Sequence, residues 1–328
     1  MPDGEPNKSE DAVLIRDFRK SDLDDVLGLL PKCFAQEFEV LGGFDPAHLR
    51  DIVNRTFGIT GRLLLASSRL VGREPVKFFV AEAKNEVIGT TMVNASREVG
   101  FVSAVMVHPD YRRRGIATTL MKNALGYIQE RKMDRAVLNV VSTNAPAISV
   151  YSSLGFEPFE SVANFVGETA SIPEQGGADG VEIRAYRNDD LDEVWNLAMA
   201  SEDPNRLRIR GFSNKNLKTP FWLRRFSSGT RRRIVAARAG KIVGCITFFY
   251  ASPKEAATIE SIRVNPEDRS RGIKRALLGV AVSEIRKGGI GRIRAFVPSA
   301  RQELAETLNN LGFREALTMV GMYKETRG

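Results

Sequence analysis

One segment of this 328-residue chain occurs twice. Residues 105–117 read Val-Met-Val-His-Pro-Asp-Tyr-Arg-Arg-Arg-Gly-Ile-Ala, and residues 262–274 read Ile-Arg-Val-Asn-Pro-Glu-Asp-Arg-Ser-Arg-Gly-Ile-Lys. Val107 and Val264, Pro109 and Pro266, Arg112 and Arg269, and Gly115 and Gly272 each stand 157 positions apart. Leu154-Gly155-Phe156 returns in the same register as Leu311-Gly312-Phe313. Two long segments in one register describe a tandem repeat of one domain, and the length suits two domains of about 150 residues.

The openings of the two copies also match. Ile15-Arg16, Phe18-Arg19, Asp22-Leu23-Asp24 and Val26 correspond to Ile183-Arg184, Tyr186-Arg187, Asp190-Leu191-Asp192 and Val194, here 168 positions apart. The first copy therefore holds 11 more residues before the Arg-Gly turn. Each opening reads as a strand, then a helix entered through aspartates that suit its dipole. Phe78–Ala81 and Arg233–Ala237 read as strands that turn through Lys84-Asn85 or Ala239-Gly240 into partners ending near Val93 or Phe249. Val105 and Val107, like Ile262 and Val264, alternate as in a strand. Ile116, Leu120, Ala124 and Ile128 then recur at helical spacing, as do Ile273, Leu277, Ala281 and Ile285. Further strands cover Val137–Val141 and Ile293–Val297. Final helices, Ala147–Leu154 and Leu304–Leu311, are each stopped by a glycine. The expected organisation is a flexible tail at 1–12, a first domain at 13–166, a Gly-rich acidic linker at 167–180 and a second domain at 181–328.

Composition narrows the function classes. The chain is 43% hydrophobic and 27% charged, ordinary for a globular protein. It has no apolar run near the roughly 18–20 residues of a membrane helix. The polar start MPDGEPNKSEDA is unlike a signal peptide. Cys33 and Cys245 fall in different copies and form no disulfide framework, which predicts a cytoplasmic protein. His48 and His108 are the only histidines, little material for a histidine-rich metal site or a Ser-His-Asp triad, so no metal is expected. Residues 1–180 hold 20 Lys and Arg against 24 Asp and Glu, a net of −4, while the remainder holds 28 against 16, a net of +12. Such asymmetry suits an acidic partner or simply a solvated basic face.

The strand-to-helix turn carries the chemistry. The first amides of a helix lack internal acceptors and carry partial positive charge, so the turn is a ready anion site. Gly115 lets backbone approach a phosphate closely, Ala117 is nearly as small, and Arg112, Arg113 and Arg114 add charge.

Here the sequence resembles the Gcn5-related N-acetyltransferase (GNAT) superfamily, whose signature Arg/Gln-x-x-Gly-x-Gly/Ala is met by Arg112-Arg113-Arg114-Gly115-Ile116-Ala117. The preceding Val-x-Val-His-Pro agrees with it, as do Asn144, Ala147, Tyr151, Gly155 and Phe156 downstream. The layout is similar to that of mycothiol-synthase-like tandem enzymes. The resemblance implies an α/β fold of two tandem GNAT-type domains, each a mixed, mostly antiparallel twisted sheet flanked by helices. It implies acetyl-CoA as acyl donor, its pyrophosphate on the amides of residues 113–118, Thr118 included. Its pantetheine would pair with the backbone of Val105, Met106 and Val107, with a backbone amide polarising the thioester carbonyl. Asn144 takes the family's loop contact to the cofactor or caps the final helix. Tyr151 takes the general-acid position, protonating the departing thiolate.

A base is harder to find. Where related branches of the family often carry a Glu, five residues before the loop Asn, stands Asn139. Glu82 and Glu98 could act through water, Ser103 lies on the strand, and a deprotonated substrate or water relay is equally open. The second copy departs at the reacting positions: Lys274 replaces the small third residue, Arg301 replaces Asn144 and Leu308 replaces Tyr151. Three readings follow. The leading one is an N-acetyltransferase, active in the first copy, that passes acetyl by direct attack of a primary amine, on a small molecule or a peptide or protein. The second is a non-catalytic acyl-CoA sensor or interaction module using the basic half. The third, less favoured, is a nucleic-acid-associated enzyme, suggested by Arg206, Arg208, Arg210, Arg224, Arg225 and Arg231–Arg233 with Phe221, Trp222 and Phe226 interleaved.

Overall fold

The computed structural model describes residues 12–41, 47, 50, 76–95, 98–173, 177–211, 230–250 and 255–327. The expected tail to residue 11, His48, Phe221, Trp222, Arg224, Arg225 and Phe226 lie outside the described residues. The first copy contains β1 (Leu14–Asp17), α1 (Leu23–Leu41), β2 (Val76–Ala83), β3 (Glu86–Ala95), β4 (Val99–Val107), α2 (Ile116–Glu130), β5 (Arg135–Val141), α3 (Ala145–Ser153) and β6 (Glu157–Glu168). The second contains β7 (Glu182–Ala185), α4 (Leu191–Ser201), α5 (Pro204–Arg210), β8 (Thr230–Arg238), β9 (Lys241–Tyr250), β10 (Ala257–Val264), α6 (Ile273–Lys287), β11 (Arg292–Pro298), α7 (Gln302–Asn310) and β12 (Arg314–Glu325).

Within the first copy the strands run β1-β2-β3-β4-β5, antiparallel except for the parallel β4–β5 pair. The second repeats this as β7-β8-β9-β10-β11, with β10–β11 parallel. Local chemistry explains the matching hairpins. Lys84 and Asn85 both adopt left-handed backbone (φ 52° and 62°), as do Ala239 and Gly240 (φ 48° and 78°), the two-residue turn whose twist matches that of paired strands.

Both openings use one device. Arg16 Nη1 and Nη2 donate to Asp22 at 2.7 and 2.9 Å, and Arg184 donates to Asp190 at 2.7 Å on both arms. Each aspartate also accepts a backbone amide three residues back, from Arg19 or Arg187. The fork ties the first strand to the start of the first helix in each copy, which the sequence reading ascribed to the helix dipole alone.

The α2 face Leu120, Met121, Ala124 and Ile128 is fully buried, and so is the α6 face Ile273, Leu277, Ala281 and Ile285. Each helix crosses the sheet over a glycine. A Cβ on Gly89 would lie 3.3 Å from Leu120 Cδ1, and one on Gly244 would lie 2.9 Å from Ile273 Cγ2.

Grouped by contacts, the chain forms one unit of Met1–Gln36, Val53–Pro158 and Met322–Gly328, and another of Glu37–Ile52 and Phe159–Gly321. The repeat in sequence and the units in space are therefore not the same division. β6 continues the first copy but pairs antiparallel with β11, from Glu168↔Arg292 to Val162↔Pro298. The end of β12 closes the second copy and is grouped with the first unit, β12 being the neighbour of β5. Neither final strand was expected from the sequence. Residues 167–172 of the segment read as a linker are built into the fold. Gly167 and Glu168 lie in β6. Thr169 Oγ1 donates to Ile290 O at 2.9 Å, Arg286 donates to the carbonyls of Thr169 and Ile172, and Ile172 is buried in the second unit's core. The Gly-rich composition masked one buried Ile and a turn satisfied by distant carbonyls.

Candidate active site

The site is built by two parallel strands that separate. β4 and β5 pair only from Val99↔Arg135 to Val102↔Leu138. Beyond Val102 the register of β4 against β3 slips between Thr90 and Met92, and Ala104 takes left-handed backbone (φ 50°). Such a bulge bends its strand and increases the local twist. Ser103 to Val107 thus carry no ladder to β5, leaving a strip of backbone able to pair with an extended ligand. Both strands point the same way, so the end of β4, the start of α2 and the start of α3 meet at one end of the sheet, as in other folds whose ligands lie beyond the carboxyl ends of parallel strands.

The turn below that strip is shaped for an anion. A short 3-10 turn covers Pro109–Tyr111, Arg112 is extended, and Arg113 and Gly115 are left-handed (φ 61° and 77°). The first helical bond of α2 runs from Thr119 N to Gly115 O at 3.0 Å, so the amides of Ile116, Ala117 and Thr118 precede any helical acceptor. Left-handed residues alternating with ordinary ones curve successive amides around a concavity, the usual anion nest. A Cβ on Gly115 would meet nothing within 4 Å, so the space over it is open. The phosphates of a CoA ester fit such a cradle. Two of the three arginines also hold the turn itself. Arg112 Nε donates to Val107 O at 3.2 Å, and Arg114 stacks on Tyr111 at 5.0 Å while donating to Asp110 O. Arg113 is exposed.

The strip offers backbone chiefly. The Met106 side chain is buried against Leu29, Val80 and Val87, while Val105 and Val107 are half-buried. Asn144 caps α3, its Oδ1 accepting from Ala147 N at 3.2 Å. Tyr151 is the buried residue of α3, set edge-on to Phe156 at 6.1 Å. Burial pushes its hydroxyl up to about 12, so it is protonated at neutral pH.

Of the nominated bases, Glu82 is engaged elsewhere and Glu98 lies away from the strip. Glu82 Oε2 accepts from Arg16 Nε at 2.7 Å and is bound in the ion pair at the start of the fold. Glu98 lies at the other end of β4, where its carbonyl accepts from Asp134 N and Arg135 N. Seven residues of strand put it roughly 20 Å from Val105. Asn139 is exposed on β5. The Ser103 Oγ, just past the divergence, is buried without a hydrogen-bond partner.

The same place in the second copy is closed. β10 and β11 pair only from Ala257↔Ile293 to Ile259↔Ala295, but Arg301 fills the gap. It sits where Asn144 stands in the first copy and donates to Ile262 O at 3.1 Å, the carbonyl matching that of Val105, and to Ser201 O at 2.8 Å. Buried Glu202 binds Arg301, Arg263 and Arg206 at 3.1, 2.9 and 2.7 Å. Lys274 pairs with Glu303, joining the starts of α6 and α7. What remains is a cavity of about 40 Å3, lined in part by Ile259, Ile262, Leu304 and Leu308. That admits a few waters and no pantetheine arm. The turn above it has no left-handed residue at Ser270, and Arg238 and Arg271 both engage buried Asp268.

Several of the arginines that suggested nucleic acid are likewise engaged internally. Arg206 and Arg210 hold Glu160, Arg210 also lies over Phe159, and Arg231 holds Glu260. Among the described residues no group of His, Cys, Asp or Glu is arranged to hold a metal, and no helix is long and apolar enough to cross a membrane.

A twice-built α/β unit with a splayed parallel pair above an amide-lined turn defines an acyltransferase type of fold, and comparison agrees. The description "Acetyltransferase (GNAT) family" matches residues 48–156 and again 192–313. The chain belongs to that family, with its domain present in tandem. An uncharacterized N-acetyltransferase of Methanocaldococcus jannaschii is 30% identical over 159 residues, 46% of this chain and 64% of that protein. A mycothiol acetyltransferase of Streptomyces bingchenggensis is 33% identical over 98 residues, 29% of this chain and 32% of that protein. The chain thus spans less than two thirds of the length of these relatives. Two solved structures share the fold. A tandem GNAT protein from the clavulanic acid biosynthesis pathway has a TM-score of 0.70 at 13% identity, covering 97% of this chain and 99% of that one. A GCN5-related N-acetyltransferase from Sphaerobacter thermophilus has a TM-score of 0.68 at 16% identity, covering 96% of both.

Proposed function

We propose that this chain is an acetyl-CoA-dependent N-acetyltransferase whose working site lies in the first copy. The observation that carries this is the contrast between two equivalent grooves. The turn glycine is open in both, but the first groove has left-handed Arg113 in its turn and short Asn144 at its mouth, whereas in the second Arg301 reaches in to the Ile262 carbonyl. Acetyl-CoA supplies an activated acetyl thioester. The amides of Ile116, Ala117 and Thr118 hold its phosphates, and the backbone of Val105, Met106 and Val107 aligns its extended arm. An amide of the same strip faces the thioester carbonyl and stabilises the negative charge that develops there.

Tyr151 donates its Oη–H toward the departing sulfur. A thiol near 8.5 is a stronger acid than a hydroxyl raised to about 12. Full proton transfer from Tyr151 is therefore uphill by several kcal/mol, about 1.4 for each pK unit. The useful contribution is a charge-assisted hydrogen bond to the leaving thiolate. The acceptor is a primary amine that attacks as the neutral base: the C–N bond forms, the C–S bond breaks, and the proton shed by the nitrogen passes, directly or through water, to the departing thiolate.

Calorimetry of the full chain with acetyl-CoA tests the assignment. One site per chain is expected, abolished by Gly115→Val and untouched by Gly272→Val. Two sites, or loss of binding only in Gly272→Val, would overturn it.

A second reading, a non-catalytic acyl-CoA sensor, is favoured by one fact: Glu82 is tied to Arg16 and Glu98 is remote. Binding of acetyl-CoA without release of CoA across a panel of polyamines, amino sugars and lysine peptides would select it.

A further inference from the structure

The helix that carries Tyr151 is short. α3 spans Ala145–Ser153, and Tyr151 is its buried residue. A helix of this length is marginal alone and takes its pose from what holds its ends. Asn144 holds the first turn. The last turn closes with Leu154 N donating to Tyr151 O at 3.1 Å and Phe156 N donating to the same carbonyl at 3.0 Å. Gly155 then reverses the chain in left-handed backbone (φ 83°).

What holds this end comes from far along the sequence. Lys324 Nζ donates to Leu154 O at 2.7 Å across 170 residues. It packs so closely that a Cβ on Gly155 would lie 2.8 Å from it. The ammonium satisfies one orphan carbonyl of the helix and complements the negative end of its dipole. Lys324 is itself delivered from a fixed strand end. Glu325 pairs with Arg135 at 3.3 Å, and Thr326 donates through N to Asp134 O at 2.8 Å and through Oγ1 to Met133 O at 2.6 Å. Arg327 pairs with Asp134 at 2.8 Å. All these partners belong to one contact unit.

We infer that Lys324, from the last strand of the second copy, is a positioning residue for Tyr151. Its ammonium fixes the final turn of α3 and thereby the line along which the Tyr151 hydroxyl points. The inference rests on the reading of Tyr151 as donor to the leaving sulfur. It also assigns the closing residues of the second copy a role in the chemistry of the first.

The test compares Lys324→Met, Lys324→Arg and Tyr151→Phe in the full chain. Amide hydrogen exchange is read over residues 145–156, and CoA release from acetyl-CoA is followed with spermidine as amine probe and hydrolysis as background. Lys324→Met should raise exchange in 145–156 about tenfold while α2 keeps its protection, and should lower kcat for CoA release several-fold with KM for acetyl-CoA unchanged. Lys324→Arg should restore both. Unchanged exchange in 145–156, an equal rise throughout the protein, or a KM effect alone would overturn the inference. If Tyr151→Phe releases CoA at the normal rate, the donor reading fails while the exchange result still decides the Lys324 contact.

Discussion

At the scale of single residues, burial sets what the Tyr151 hydroxyl can contribute. Its hydroxyl is raised to about 12 by desolvation, so it stays a donor throughout the neutral range. Tyr151→Phe is expected to lower kcat tenfold to a thousandfold, on the order usual for a lost hydrogen-bond donor to developing charge, with acetyl-CoA affinity by calorimetry nearly unchanged. An undiminished rate would return Tyr151 to packing against Phe156. Asp190 offers a stability test free of the chemistry. The Arg184 fork holds its carboxyl below the usual carboxylate range against the opposing effect of burial. A depressed folded value means the pair stabilises the protein above pH 4 and its contribution is lost as pH falls through the folded value. Asp190→Asn should cost about 3 kcal/mol in denaturant unfolding at pH 7, and less as the pH drops below 4. Equal losses at pH 7 and pH 3 would show that the charge contributes nothing.

At the scale of elements, the crossing of helix over strand differs between the copies at one atom. A Cβ on Gly89 would press on Leu120 and also lie 2.8 Å from the Met106 carbonyl, backbone of the strip that lines the groove. One on Gly244 would meet only side chains of α6 and Ala236. Both Gly89→Ala and Gly244→Ala should destabilise by roughly 1–3 kcal/mol. Gly89→Ala alone should weaken acetyl-CoA binding, because β4 must shift to admit the methyl. Equal binding by the two variants in calorimetry would show that the strip tolerates that shift.

At the scale of the whole molecule, the repeat is not a pair of independent modules. Residues Met322–Gly328 are grouped with the unit that holds β4, α2 and α3, and β6 from Phe159 onward with the other. A chain ending at residue 321 keeps Gly115, Asn144 and Tyr151 but loses Lys324, Glu325 and Thr326. It should bind acetyl-CoA more weakly, unfold at a lower temperature and turn over slowly; full activity in such a chain would show the tail to be dispensable. The net of +12 in the second half also changes meaning in three dimensions. Arg206, Arg210, Arg263 and Arg301 surround Glu160 and Glu202 inside that unit, stabilising a closed groove.

The features legible in the sequence were those encoded by neighbouring residues. The Arg-x-x-Gly turn, the two-residue hairpins, the Asn144 cap and the helix stop at Gly155 follow from backbone preferences and spacing, so the family, the repeat and the place of the strand-to-helix turn could be read from the chain. The substitutions at Lys274, Arg301 and Leu308 were legible as departures, but not their consequence. Only the tertiary structure showed Arg301 on the Ile262 carbonyl, Glu82 tied to Arg16, Glu98 at the wrong end of β4, and Lys324 reaching Leu154 from 170 residues away. Each is a pairing between distant residues, set by which strand lies beside which. Periodicity reports which face of an element is buried, and is silent on what it is buried against.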